Sequence, residues 1–197
     1  MSGRASPARG YALVGLLLAA LLFAAGGFLW MSGRRGDLVG GPFRLENAAG
    51  RTVTARSFRG RYMLIYFGYT HCPDVCPTTL ANVAGALRAL GPAASRLAVL
   101  FISVDPERDT PAVMGRYTAL FSKRIVGLTG SPAEIARVAA EYHVYYKKHP
   151  YGPGKLDYSV DHSSLLYLMS PTGRFIAPIT AASSSQELAG ELRRLMS

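Results

Sequence analysis

The sequence predicts an α/β domain that opens on a β-hairpin and is preceded by one transmembrane helix. Three observations carry that prediction. Strand-like and helix-like patterns alternate between residues 62 and 142, as in a parallel sheet covered by helices. A twenty-residue uncharged run, Tyr11 through Trp30, stands ahead of them. The only two cysteines, Cys72 and Cys76, fall where the first core strand gives way to its helix. A thiol pair at the C-terminal end of a strand, entering a helix, is a thioredoxin-like arrangement.

The N-terminal run is rich in Leu and Ala, with Tyr11 at one end and Phe28 and Trp30 at the other. At about 1.5 Å per residue it spans roughly 30 Å, the hydrocarbon thickness of a bilayer. The apolar stretch of a cleaved signal peptide is shorter, about 7–15 residues, so an uncleaved anchor is the expectation. No cysteine stands just after the run, which argues against a lipoprotein. Arg4 and Arg9 on one side nearly balance Arg34 and Arg35 on the other, so charge alone hardly orients the segment. A single N-terminal span usually exports the domain that it precedes. The expected layout is a cytoplasmic head at 1–10, an anchor at 11–30, a Gly/Arg linker at 31–41 and an exported domain at 42–197. For a bacterial inner membrane, the domain would face the periplasm, an oxidising compartment.

Within the domain, Phe43–Leu45 and Thr52–Thr54, separated by a turn containing Asn47 and Gly50, read as a hairpin. Tyr62 to Tyr69 and Leu97 to Val104 are apolar runs of buried strands. The cysteine loop lies between them, followed by a helix from Pro77 to Leu90 with Leu80, Val83, Ala84, Leu87 and Leu90 at helical spacing. Thr110-Pro111 opens a helix to about Phe121, and Ile125–Leu128 is a short strand. Ser131-Pro132-Ala133-Glu134 is the start signal of a helix to about Tyr142. Val144–Lys147 reads as extended, and Lys148 to Asp161, with two prolines and two glycines, as an irregular exposed loop. Ser164–Met169 and Arg174–Ala177 form a second hairpin, and a last helix runs from Ser185 to Leu195.

Formal net charge is +10, and 18 basic against 12 acidic residues remain once the four arginines flanking the anchor are set aside. No basic-aromatic stripe accompanies the surplus, so nucleic-acid binding is not expected. A solvated basic surface, an acidic partner or a nearby membrane all fit the charge.

The chemistry is concentrated at His71-Cys72-Pro73-Asp74-Val75-Cys76-Pro77. Residues before proline favour extended geometry, and proline suits the first helical position; Cys76 is therefore expected at the helix N-cap and Cys72 in the loop before it. The positive end of the helix dipole favours thiolate there. A structural disulfide closing so short a loop would remove little chain entropy. Dithiol redox chemistry and soft-metal binding both remain, since thiolate serves each. A metal site needs a further ligand, for which histidine is suited. His71 adjoins Cys72 and neighbours seldom point to one centre, which leaves it as a weak alternate ligand; His143 and His149 read as packing or surface, and His162 follows the long loop beside Asp161. His162 is as readily structural as ligating on spacing alone; Asp161 could orient its second nitrogen.

Three segments, Tyr69–Pro77, Ser103–Pro111 and Asp157–Ser163, resemble the Sco/SenC family at compatible spacing and in the family's order, over about residues 40–170. That resemblance implies a membrane-anchored, thioredoxin-like copper protein that helps build the binuclear copper site of cytochrome c oxidase subunit II. It implies that Cys72, Cys76 and His162 bind one copper ion, Cu(I) or Cu(II), with Asp161 beside the histidine. The segment from Lys147 to Leu156 is basic where some relatives are acidic, and residues 176–180 match the family less well. A metallochaperone is the favoured reading, with subunit II as its partner and a copper donor or thiol reductase upstream. The rival is a thiol-disulfide oxidoreductase that keeps the subunit II cysteines reduced. A thiol peroxidase fits less well, because the loop offers paired, proline-bounded cysteines.

Overall fold

The structure is a computed structural model that describes Phe23 and residues 39–197. Phe23 is a helical residue with an exposed side chain, and residues 39–197 belong to one compact unit. The expected head, anchor and most of the linker lie outside the described residues. Among the described residues no helix is long and apolar enough to cross a membrane.

The chain begins with the expected hairpin, β1 (Arg44–Asn47) and β2 (Thr52–Thr54), paired antiparallel with Leu45 opposite Val53. Asn47 and Gly50 make its turn, and Gly50 adopts a positive φ of 68° that glycine accepts without strain. β3 (Tyr62–Gly68) and β4 (Leu97–Ser103) then pair in parallel with Tyr62 opposite Leu97. Their side chains alternate between two separate cores. Leu64, Tyr66, Val99 and Phe101 face one, while Met63, Ile65, Phe67, Leu100 and Ile102 face the other. Burial on both faces is why these runs are apolar without a polar alternation.

Helix α1 (Val75–Leu90) follows β3 and covers the first core with Leu80, Val83, Leu87 and Leu90. α2 (Pro111–Ala119) is capped by Thr110, whose side chain accepts from the Val113 N–H. β5 (Ile125–Thr129) adds a third parallel strand, and α3 (Pro132–Glu141) covers the second core with Ile135 and Val138. The start signal at Ser131 is a capping box: the Ser131 hydroxyl accepts from Glu134 N–H while the Glu134 carboxylate accepts from Ser131 N–H.

The expected loop from Lys148 to Asp161 is corrected by the structure. β6 (Tyr146–Pro150) and β7 (Tyr158–His162) pair antiparallel and make a separate two-stranded ribbon. Only the Gly/Pro-rich tip is irregular, held by Asp157: its carbonyl accepts from Tyr151 N–H and its carboxylate from Gly154 N–H, both at 2.9 Å. Tyr158 and Val160 alternate into the second core and hold the ribbon against the domain, while Lys147 lies opposite Asp161 within it.

β8 (Leu165–Met169) returns antiparallel to β3, and β9 (Phe175–Thr180) forms the sheet edge, where Pro178 is tolerated. α4 (Ser185–Leu195) opens on a second capping box, Ser184 with Glu187, and packs on the first core. The main sheet has seven strands in the order β2-β1-β5-β4-β3-β8-β9. The α/β expectation of parallel strands first and an antiparallel pair last describes this sheet.

Candidate metal centre

The site forms at the C-terminal end of β3, where the sheet meets the N-terminus of α1. α1 begins two residues earlier than expected. Asp74 is its N-cap, so Cys76 lies in the first turn rather than at the cap. The physical reason is that the first-turn N–H groups have no helical partner, so Pro77 can stand inside the first turn without losing a bond. The cap is made by sulfur. Asp74 makes no side-chain cap bond; instead the Cys72 Sγ accepts from the Cys76 N–H at 3.4 Å.

Both cysteines are free thiols, Cys72 half-buried and Cys76 buried. His162, the last residue of β7, brings its Nε2 to 3.4 Å from Cys76 Sγ. The donor atoms of Cys72, Cys76 and His162 all lie within 4.8 Å of one another. Donors around a single small ion sit roughly 3.5–4 Å apart, so this constellation is already at the scale of a metal site. Two sulfurs and an imidazole suit a soft or borderline ion.

The thiols are electrostatically unlike. Cys72 is held far below the ordinary thiol range, first by a hydrogen bond from Cys76, then by His162 and the backbone N–H groups of Cys76 and Asp74. Cys76 is pushed up by that same bond and by burial. The pair therefore carries one thiolate, on the more accessible sulfur, and one proton on the deeper one. Tyr66 donates its hydroxyl to Cys76 Sγ at 3.7 Å, and burial pushes that phenol up, so it stays a donor.

The imidazole is clamped from three directions. The rings of Tyr66 and Tyr69 meet it edge-on with centroids 6.1 and 5.9 Å away. Its Nδ1 lies 3.1 Å from the Ser163 carbonyl oxygen, to which it donates, and this turns Nε2 toward the sulfurs. The expectation for Asp161 is corrected here. Successive strand side chains point to opposite faces, so Asp161 is turned outward next to His162, with Oδ2 3.0 Å from His149 Nε2. A backbone carbonyl takes the orienting role.

His71 remains apart from the thiols. Its Nδ1 is 3.1 Å from Thr70 Oγ1 and 3.8 Å from Asp109 Oδ1. Asp109 is buried, accepting from Ser103 Oγ, Thr70 Oγ1 and Thr70 N–H; burial raises its pKa against these bonds. This carboxylate ties the loop after β3 to the loop after β4.

Residues that sequence reasoning passed over hold the ribbon in place. Asp105 accepts at 2.5 Å from Arg108 Nε and from the Tyr158 hydroxyl. Arg108 Nη1 reaches the Tyr158 carbonyl at 2.9 Å, and its guanidinium stacks 3.9 Å from the Tyr158 ring centroid. Lys148 pairs with Glu107 at 2.7 Å, and the Tyr69 hydroxyl accepts from Val160 N–H. The segment Asp105–Asp109 thus fastens the strand that delivers His162. Its dense charge at the end of a buried strand was the available signal.

A thioredoxin-like sheet with two thiols at the strand–helix junction and a histidine brought against them defines a class of protein: a dithiol protein built to hold a soft metal or exchange disulfides. A family model described as SCO1/SenC matches residues 31–197, and the chain belongs to that family. The copper-bound structure of Bradyrhizobium japonicum ScoI is 49% identical, covering 80% of this chain and 99% of that one, with a TM-score of 0.74. Copper-bound yeast Sco1 is 35% identical over 80% of this chain and 88% of that one, also with a TM-score of 0.74. The mitochondrial SCO2 homolog of Bos taurus is 44% identical over 158 residues, 79% of this chain and 59% of that protein. The chain spans about half the length of the human and plant mitochondrial SCO1 homologs it also matches, at 46% and 41%.

Proposed function

We propose that this chain is a copper metallochaperone that takes one copper ion, Cu(I) or Cu(II), on Cys72, Cys76 and His162 and assists assembly of the binuclear copper site of cytochrome c oxidase subunit II. The single observation that carries the reading is the meeting of both sulfurs and His162 Nε2 within 4.8 Å. Membership in the family supports it, as do the copper-bound relatives. Copper is cargo here. The Cys72 thiolate meets the ion first, Cys76 gives up its proton to become the second sulfur donor, and His162 supplies nitrogen. Partner thiolates displace these donors stepwise. Oxidation of the pair to a disulfide, with a partner disulfide taking up the two electrons and two protons as two thiols, removes both thiolate donors, so redox state gates loading.

The N-terminal run anchors the domain, within this proposal, in a bacterial inner membrane with the site in the periplasm. Residues 1–10 form the head, 11–30 the anchor, 31–41 the linker and 42–197 the copper-binding domain. A copper donor or a thiol reductase acts upstream.

The test is copper titration of the reduced protein beside His162→Ala. The variant should bind copper at least about tenfold more weakly, with a changed absorption spectrum. Equal affinity and spectrum in the two proteins would remove His162 from the ligand set.

A second reading is favoured by the asymmetry of the thiols. A half-buried thiolate at Cys72 over a buried thiol at Cys76 is the order needed for disulfide reduction. Cys72 attacks a partner disulfide, releasing one partner thiolate; Cys76 loses its proton, attacks the mixed disulfide and releases the second. The partner gains two electrons and this chain ends as a Cys72–Cys76 disulfide, to be reduced by an upstream dithiol. Metal-free His162→Ala should keep this activity. Loss of reduction in that variant would tie the thiol chemistry to the metal ligands.

A further inference from the structure

The two ends of the described domain differ in charge: one is rich in arginine, and most carboxylates lie toward the other. The metal centre is at the C-terminal end of β3. The opposite end, the base, is roughly 20 Å away along the seven-residue strand. Arg59 and Arg61 stand just before β3, and Arg96 just before β4. Gly60 N–H donates to the Pro171 carbonyl, bringing the β8–β9 turn and Arg174 to the same end. Lys123 and Arg124 precede β5, with Arg124 reaching the Ala94 carbonyl. The C-termini of α1 and α4 finish there too: Arg193 donates to the Ala89 carbonyl and Arg96 to the Met196 carbonyl. Arg59, Arg61, Arg96, Lys123, Arg124 and Arg174 are all exposed.

Acidic side chains obey the reverse rule. Residues 39–197 contain eleven, of which Glu141 and Glu191 lie at the base. Glu191 faces Arg194 at 3.6 Å and Glu141 lies against Gly41. Asp74, Asp105, Glu107, Asp109, Asp157 and Asp161 lie toward the metal-centre end, where Arg108 and Lys148 pair with Asp105 and Glu107 and Lys147 and Lys155 also stand. Among the described residues no carboxylate pairs with Arg59 or Arg61.

We propose that the arginine-rich base docks on an anionic lipid surface and so holds the metal centre pointing away from the membrane. This rests on the reading of residues 11–30 as an anchor. Two facts select lipid over an acidic protein. The described chain enters at the base, where Gly40 N–H donates to the Glu141 carbonyl and Gly40 lies against Met169 at the end of β8. Only residues 31–38 separate that point from the apolar run, at most about 28 Å of extended chain. In sequence they carry Arg34, Arg35 and Asp37, a net positive stretch. A surface so close in sequence meets the base at high effective concentration, and clustered Lys and Arg beside an anchor bind anionic headgroups. The carboxylates at the far end are repelled by the same surface. The outcome is an orientation with the thiols outward.

The experiment is hydrogen exchange on the full chain in vesicles of phosphatidylcholine alone and of phosphatidylcholine with phosphatidylglycerol. Peptides covering 59–61 and 171–174 should exchange several-fold more slowly in the anionic vesicles, while 69–76 is unchanged. High salt should abolish the difference, since the Debye length falls to about 3 Å at 1 M. Arg59→Glu with Arg61→Glu, both exposed, should lower the protection roughly tenfold and leave copper binding intact. Equal exchange in the two lipids overturns the proposal, as does protection that appears only when an acidic protein is added. Flotation separates the anchor from the base. Failure to float with neutral vesicles removes the anchor, and flotation with anionic vesicles alone then reads lipid binding by the base directly, its absence overturning the proposal.

Discussion

The two halves of the metal centre reach the same point by different physics. Cys72 and Cys76 sit on the junction of β3, buried on both faces, and α1, whose inner face packs on the first core, and Cys76 is itself part of that core. His162 arrives on a two-stranded ribbon outside the main sheet, fastened by a few polar contacts around Asp105 and Arg108. Burial fixes the thiols, while the imidazole needs directional hydrogen bonds and an ion pair in addition to the burial of Tyr158 and Val160. The difference means that the histidine can be loosened without unfolding the thiol end. Under the proposed role, release of the copper ion gains from one ligand on a separable element.

Breaking the polar side of that comparison should have the largest effect. Asp105→Ala leaves Arg108 charged and nearly fully buried without its carboxylate, which should cost about 3–5 kcal/mol in urea unfolding. A loss under 1 kcal/mol would show that the ribbon is held by its apolar residues. Breaking the packed side comes next. A Cβ on Gly68 would stand 2.6 Å from Cys76 Sγ and 2.8 Å from Phe101, so Gly68→Ala should cost about 1–3 kcal/mol and displace Cys76. The readout is unfolding together with a changed copper spectrum, and an unaltered spectrum would refute the displacement.

Tyr158→Phe removes one charge-assisted hydrogen bond and retains the ring beneath Arg108, at about 1.5–3 kcal/mol. Hydrogen exchange should quicken in residues 158–162 but not in 62–68; uniform acceleration would show one cooperative unit. Lys148→Ala breaks a partly exposed pair and should change stability by less than about 1 kcal/mol.

The pH dependence sharpens the contrast between the thiols. Because the folded Cys72 value is depressed, its thiolate is already formed at neutral pH. Alkylation of Cys72 should be nearly flat from pH 6 to 8, whereas an ordinary thiol gains about tenfold per unit below its pKa near 8.5. A tenfold rise per unit at Cys72 would refute the shared-proton arrangement.

The parts legible in the sequence are those governed by local periodicity and by rigid residues. The apolar runs of β3 and β4, Thr110-Pro111 and the Ser131-to-Glu134 box are short-range signals with local causes. The same holds for the loop carrying both cysteines. The ribbon is not legible because its order comes from contacts with Asp105 and Arg108, some fifty residues distant, and a Gly/Pro-rich tip looks alike on a ribbon and on a free loop. Asp161 differs from its expected role for a related reason. Adjacency suggests partnership, but strand geometry sends neighbours to opposite faces.

By itself, then, the sequence determined the α/β order, the placement of two thiols at a strand–helix junction and the family resemblance of three motifs. Spacing alone left His162 open and the resemblance implied it; tertiary structure brought it to the sulfurs and decided which oxygen orients it and which sulfur holds the proton. Those outcomes depend on distances between residues as many as 86 positions apart. They also depend on burial that differs between two sulfurs four positions apart, which spacing along a chain does not encode.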